Sequence, residues 1–142
     1  MRQIVLLLLL SFGALQAQEY KAVFDCSSSD AHYIKSRMWL VGKTIDMIEQ
    51  KGEKATVAIT LHGGCVAMVS QDYDMVVADE DMQEIKKAQE YLVALSKRKN
   101  VEIVACAMSL ASTAIDHQDV LPFVAISENS FIDTIGYQNR GD

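Results

Sequence analysis

Three cysteines and one histidine are the residues best suited to covalent or proton-transfer chemistry in this 142-residue chain: Cys26, Cys65, Cys106 and His62. Cys106 follows Val101–Ala105, an apolar β-branched run that reads as a buried strand, and precedes small and apolar residues that can open a helix. Ligands bind outside the carboxyl ends of strands in open α/β sheets, and a thiol at a helix start gains thiolate character. A cysteine after an apolar run is also an ordinary core residue, so the position alone leaves both readings open. His62 stands three residues before Cys65 in His62-Gly63-Gly64-Cys65, where it can serve a thiolate as base or hydrogen-bond donor, or simply bond backbone as turn histidines often do. There is no Cys-x-x-Cys pair, and the cysteine spacings match no structural zinc site.

The elements that must position these residues alternate. Tyr20–Cys26 reads as a first strand, and Ser27-Ser28-Ser29-Asp30 as turn and cap chemistry. Ile34, Met38, Val41, Ile45 and Ile48 then step by four and three along one helix face, closed by Lys51-Gly52. Ala55–Leu61 is a second strand ending at the His62 turn, whose two glycines allow a close backbone approach and a weak anion-binding signal. Neither phosphate-loop glycine fingerprint is present.

Gln71–Ala78 is a polar connection. Asp79, Glu80 and Asp81 open the next helix and Lys97, Arg98 and Lys99 close it, with Met82, Ile85, Leu92 and Leu95 buried. After the Val101–Cys106 strand come a short helix around Leu110–Ile115, a fourth strand Pro122–Ser127, and a last helix Glu128–Tyr137 with Phe131, Ile132 and Ile135 expected in the core. Four strand–helix units in alternation call for an α/β fold, a parallel sheet with helices on both faces. Cys26, Cys65 and Cys106 then share one edge of that sheet.

Composition bounds the function. Half the residues are hydrophobic and one is proline, as in an ordered single domain. The formal net charge of −6 and a pI near 5.0 argue against nucleic acid as a partner. Arg2, the apolar Ile4–Leu10 with Phe12, and Leu15-Gln16-Ala17 form a signal peptide over residues 1–17, leaving 18–142 as one α/β domain. Ile4 to Ala17 is too short for a membrane span, so the expected product is soluble and exported, periplasmic in a bacterium, without stable membrane insertion. In an oxidising compartment an odd number of cysteines leaves at least one unpaired.

His62-Gly63-Gly64, the Val101–Leu110 run with Cys106 and Ser109-Leu110, and the ending Gly136-Tyr137 resemble the DsrE/DsrF-like family, particularly its exported single-domain members. The likeness spans roughly Tyr20 to Tyr137. It implies a flavodoxin-like three-layer sandwich, homo-oligomers such as trimers or hexamers, and passage of sulfane sulfur as a persulfide on Cys106. Cys106 matches the family's cysteine after the third strand, and His62 its His-Gly turn after the second. Cys65 and Cys26 depart from the pattern, and export removes the chain from a cytoplasmic tRNA-thiolation relay.

The leading expectation is a sulfur carrier acting with a sulfur donor or acceptor and without a cofactor. Cys106 is the acceptor thiol, exposed and of low pKa, with Cys65 as a second or resolving thiol and His62 tuning the thiolate. Two alternatives stand beside it. One is a Cys/His metal-binding module using His62 and Cys65. The other is a non-catalytic assembly module with a structural Cys65–Cys106 disulfide.

Overall fold

A computed structural model describes residues 17–141; the expected signal segment, Ala17 apart, lies outside them. Four parallel strands, β1 (Glu19–Cys26), β2 (Lys54–Leu61), β3 (Val101–Cys106) and β4 (Ala125–Ser127), lie in the order β1-β2-β3-β4. Between and after them run α1 (Ala31–Glu49), α2 (Met82–Ser96), α3 (Ala107–Ser112) and α4 (Ser130–Asn139). The architecture is the expected α/β one.

Strands joined in sequence order by right-handed crossovers place their helices on a common face. Accordingly α1 and α2 pack side by side over one face, while α4 crosses back over β1, β2 and β3 on the other. The main core lies between the sheet and the α1/α2 layer. Ile34, Met38, Val41 and Ile45 of α1 meet Ile85, Ala88, Leu92 and Leu95 of α2 above Val57, Ile59 and Leu61 of β2. The 3-10 segment Gly63–Val69 closes its upper end with Cys65–Val69 all buried.

Local chemistry sets the ends of these elements. The Asp30 carboxylate accepts the Tyr33 amide at 3.0 Å and caps α1, a contact worth about 1 kcal/mol. Arg98, expected only to complement the end of α2, donates to Asp46 and Glu49 and so ties that end to α1.

The structure departs from the sequence expectations for these elements at several points, Met82 being half-buried rather than buried among them. Pro122–Val124 precede β4, which shrinks to three residues. The helix expected around Leu110–Ile115 begins earlier, directly after Cys106. Phe131, Ile132 and Ile135 are 69%, 63% and 56% exposed, so the expectation that they are core residues is corrected. The helix instead turns Ser130 and Tyr137 inward.

Among the described residues the strand order lacks a reversal, so the crevice that opens where successive crossovers diverge to opposite sides is not formed by them.

Candidate functional site

Alternation along the strands decides which residues share a face. Ile103 and Ala105 of β3 face the main core, whereas Val104 packs with Ala58 and Tyr137 under α4. Cys106 follows Val104 by two and therefore lies on the α4 face. On β1, Phe24 and Cys26 belong to the main core, and Val23 to the α4 face, which gives Asp25 to that face as well. The three cysteines thus reach one edge of the sheet, as expected, but not one face.

Cys26 and Cys65 are joined in a disulfide with a Cα separation of 5.9 Å, and Cys106 is the free cysteine. The Cys65–Cys106 pairing entertained from sequence is therefore not formed. Cys65 is bonded within the main core and is neither a free second thiol nor a free metal ligand. The reason is the pleat: Cys26, the last residue of β1, points to the side where the 3-10 segment presents Cys65, while Cys106 points away from it. Among the described residues no group of three or more His, Cys, Asp and Glu side chains gathers as a metal site.

Cys106 sits at the junction of β3 and α3 and under the first turn of α4. Burial raises the thiol's pKa. The nearby Ser130, Ser109 and Met108 amides and the Ser109 hydroxyl, which favour the anion, outweigh it and leave the thiol below its ordinary value. The sulfur is therefore set in a nest of donors drawn from two helix starts. At 4% exposure it is buried, which corrects the expectation of an exposed thiol. Ser130, itself buried, is part of its cover, and neighbouring Phe131 and Met108 are exposed.

His62 is reached through register. Leu61 pairs with Ala105, and His62 remains extended at φ −146 and ψ 178, so it continues β2 to the level of Cys106. Adjacent strands lie about 4.8 Å apart. Its Nε2–H donates to both Asp25 carboxylate oxygens at 2.9 Å, and its ring lies 5.8 Å from that of Phe131. The buried Thr60 hydroxyl donates to the same carboxylate at 2.8 Å. Asp25 thus has two side-chain donors fixing it, and it fixes the imidazole in turn.

A polar row now runs along the α4 face: Asp25 on β1, Thr60 and His62 on and after β2, Cys106 on β3 and Ser127 on β4. The first turn of α4 touches that row at three points. The Ser130 amide favours the Cys106 thiolate, Phe131 lies against His62, and Asp133 accepts from Ser127. The row brings Cys106 and His62 together and leaves Cys65 on the other side. Asp25 and Thr60 escaped the sequence reading because their partners stand 37 and 35 residues away. The one usable signal was an acid one residue before a strand-end cysteine.

Gly63 and Gly64 have a packing role. A Cβ on Gly63 would lie 2.7 Å from the Ser27 carbonyl oxygen, and one on Gly64 would lie 2.6 Å from the Ser29 Cα. Gly63 also holds φ +53, and its amide donates to the Ser109 hydroxyl at 2.9 Å. The glycines let this turn press on the β1–α1 loop, and the Gly63 amide is already taken, so the weak anion signal at that amide is answered by Ser109.

Comparison with known proteins places this geometry. A sequence model of the DsrE/DsrF-like family matches residues 21–142. An uncharacterized protein of Aquifex aeolicus is 32% identical over 127 residues, covering 89% of this chain and 56% of that protein, so the chain spans little more than half of that relative's length. A solved structure of a protein of unknown function from Methanobacterium thermoautotrophicum superposes with a TM-score of 0.62 at 17% identity. That likeness covers 86% of this chain and 94% of the other, and at such identity it concerns the fold.

Proposed function

Because the chain belongs to the DsrE/DsrF-like family, which suggests a sulfur-related role, we propose that it carries sulfane sulfur as a persulfide on Cys106. The observation that supports this most directly is the donor nest around Cys106, which favours the anion at the end of β3. The Cys106 thiolate attacks the outer sulfur of a donor persulfide, R–S–SH. A new S–S bond forms to Cys106 as the donor's S–S bond breaks, giving Cys106–S–SH and R–S⁻ with no net oxidation. His62, held by Asp25, is the group placed to supply a proton to the departing thiolate. Transfer onward is the same step in reverse, with an acceptor thiolate attacking the carried sulfur. Burial of Cys106 requires its cover, the first turn of α4, to yield when the donor docks.

The test is incubation with a small persulfide donor, followed by mass spectrometry and cyanolysis. A gain of about 32 Da, removed by cyanide and absent from Cys106→Ser, is expected. No adduct on the wild type, or the same adduct on Cys106→Ser, overturns the proposal.

Export to the periplasm rests on Arg2 and Ile4–Leu10, and amino-terminal sequencing of the protein from a fractionated bacterial host tests it. A mature start at Gln18 is expected, and full-length chain in the cytosolic fraction overturns it. The exposed Phe131, Ile132, Ile135 and Met108 support a companion proposal of self-assembly. Sedimentation is expected to give a trimer or hexamer, and a monomer at all concentrations overturns it.

A further inference from the structure

We propose that the Cys26–Cys65 disulfide is a positioning element for Cys106, clamping the His62–Gly64 turn onto β1 so that His62 and Ser109 are held beside the free thiol. This rests on the reading of Cys106 as the reactive residue and gives the other two cysteines a task that is neither sulfur transfer nor metal binding.

Two routes lead from the disulfide to Cys106, and both are short. Cys26 is the last residue of β1, and its carbonyl accepts the His62 amide at 2.9 Å. Asp25 immediately before it holds the His62 ring, so the bond from Cys26 to Cys65 brackets that hydrogen-bonded pair from both flanks. The second route runs through the turn itself. Gly63 and Gly64 press on Ser27, Ser28 and Ser29 with no room for a Cβ, and the Gly63 amide donates to the hydroxyl of Ser109, which stands in the first turn of α3 directly after Cys106 and favours its thiolate. Cys65, one residue beyond Gly64, pins the turn in that seat. With the bond absent, the segment is still anchored by its buried Val66, Met68 and Val69, but its first residues are held on β1 by a few hydrogen bonds, the Asp25–His62 pair at 44% and 17% side-chain exposure among them. Partly exposed pairs of that kind hold geometry weakly.

The clamp acts through the main core, across the sheet from Cys106. Cys26 and Cys65 are 1% and 0% exposed, so in the folded chain the bond is shielded from solvent and does not itself meet a sulfur donor. Its effect on Cys106 is therefore geometric.

The experiment measures the rate of Cys106 alkylation by iodoacetamide as a function of pH in the full chain. Cys106 is the free thiol both in the wild type and in Cys26→Ala/Cys65→Ala, so the readout is unambiguous. The midpoint of the profile reports ionisation and the plateau reports access. In the double variant the midpoint is expected to rise, making alkylation near neutral pH roughly tenfold slower, the effect of one lost hydrogen bond to a thiolate. Ser109→Ala is expected to raise the midpoint similarly, and the triple variant to add little, because both changes cut the same route. A double variant that is folded and less stable but keeps the wild-type midpoint overturns the proposal, as does full additivity with Ser109→Ala.

Should the double variant not fold, Gly63→Ala with the disulfide intact displaces the same turn. An unchanged midpoint there overturns the proposal equally. Failure of the sulfur reading looks different: the midpoints shift as stated, yet no persulfide forms on Cys106.

Discussion

Breaking the Cys26–Cys65 bond has a cost that follows from its place in the chain. The two cysteines are 39 residues apart and enclose α1 and β2. The chain-entropy relation for a closed loop of that length gives about 4 kcal/mol of stabilisation through restriction of the unfolded state. For a domain of this size that corresponds to about 15 °C in melting temperature, at about 4 °C per kcal/mol. Two perturbations separate the contributions. Reduction keeps every sulfur atom in place, whereas Cys26→Ala/Cys65→Ala also removes two fully buried sulfurs from a close-packed core and adds a cavity penalty.

The assay is urea unfolding of the oxidised chain, the chain held under a strong dithiol reductant, and the double variant, all at one pH. The dithiol closes to its own disulfide as the protein gains two thiols, so the reaction balances without a further reagent. The order expected is oxidised, then reduced, then double alanine, with the first gap the largest. The slope of free energy against urea should steepen on reduction as the unfolded chain expands. A first gap under about 1 kcal/mol would refute the reasoning, because a cross-link buried at the meeting of β1 and the 3-10 segment cannot be that cheap to lose if it forms in the native chain.

Three further outcomes are expected. The Cys106 pKa is lowered in the fold, so its contribution is present above the unfolded thiol value and lost as pH falls through the folded one. The stability gap between wild type and Cys106→Ala should therefore widen as pH rises toward the unfolded thiol value of about 8.5 in urea titrations, and a flat gap contradicts the donor nest. Tyr137 shows the opposite sign: burial, then its hydrogen bond to Glu102, push the phenol well above the usual tyrosine range. Its contribution is complete below the unfolded value near 10 and lost as pH rises beyond it, so Tyr137→Phe should remove part of the alkaline destabilisation, and phenolate absorbance should show one late-titrating tyrosine. Phe131→Ser should change stability by no more than about 0.5 kcal/mol, whereas a buried phenylalanine would cost about 3 or more, and thermal denaturation tells them apart.

Much of this was legible from the residues alone, for reasons that can be named. The strands Ala55–Leu61 and Val101–Cys106 declare themselves because a strand buried on both faces needs a continuous β-branched run. The stripe from Ile34 to Ile45 declares α1 because its spacing follows the helical period. Cys106 and His62 were reachable because both close a strand. The disulfide partner was not, since which face a strand-end cysteine takes depends on one residue of register. Phe131, Ile132 and Ile135 misled because apolar side chains at i, i+1 and i+4 describe a face without saying what covers it. Asp25 was invisible because its meaning lies in a histidine that only the parallel pairing of β1 and β2 brings alongside.

The strand order has a consequence for the history of each molecule. In a sheet whose spatial order repeats its chain order, every strand lands beside the one made just before it. In a chain that emerges amino end first, β1, α1, β2 and the 3-10 segment with Cys26 and Cys65 all precede Cys106, which lies 41 residues beyond Cys65. A chain emerging in that order into an oxidising compartment would offer Cys26 only Cys65 as a partner until Cys106 followed.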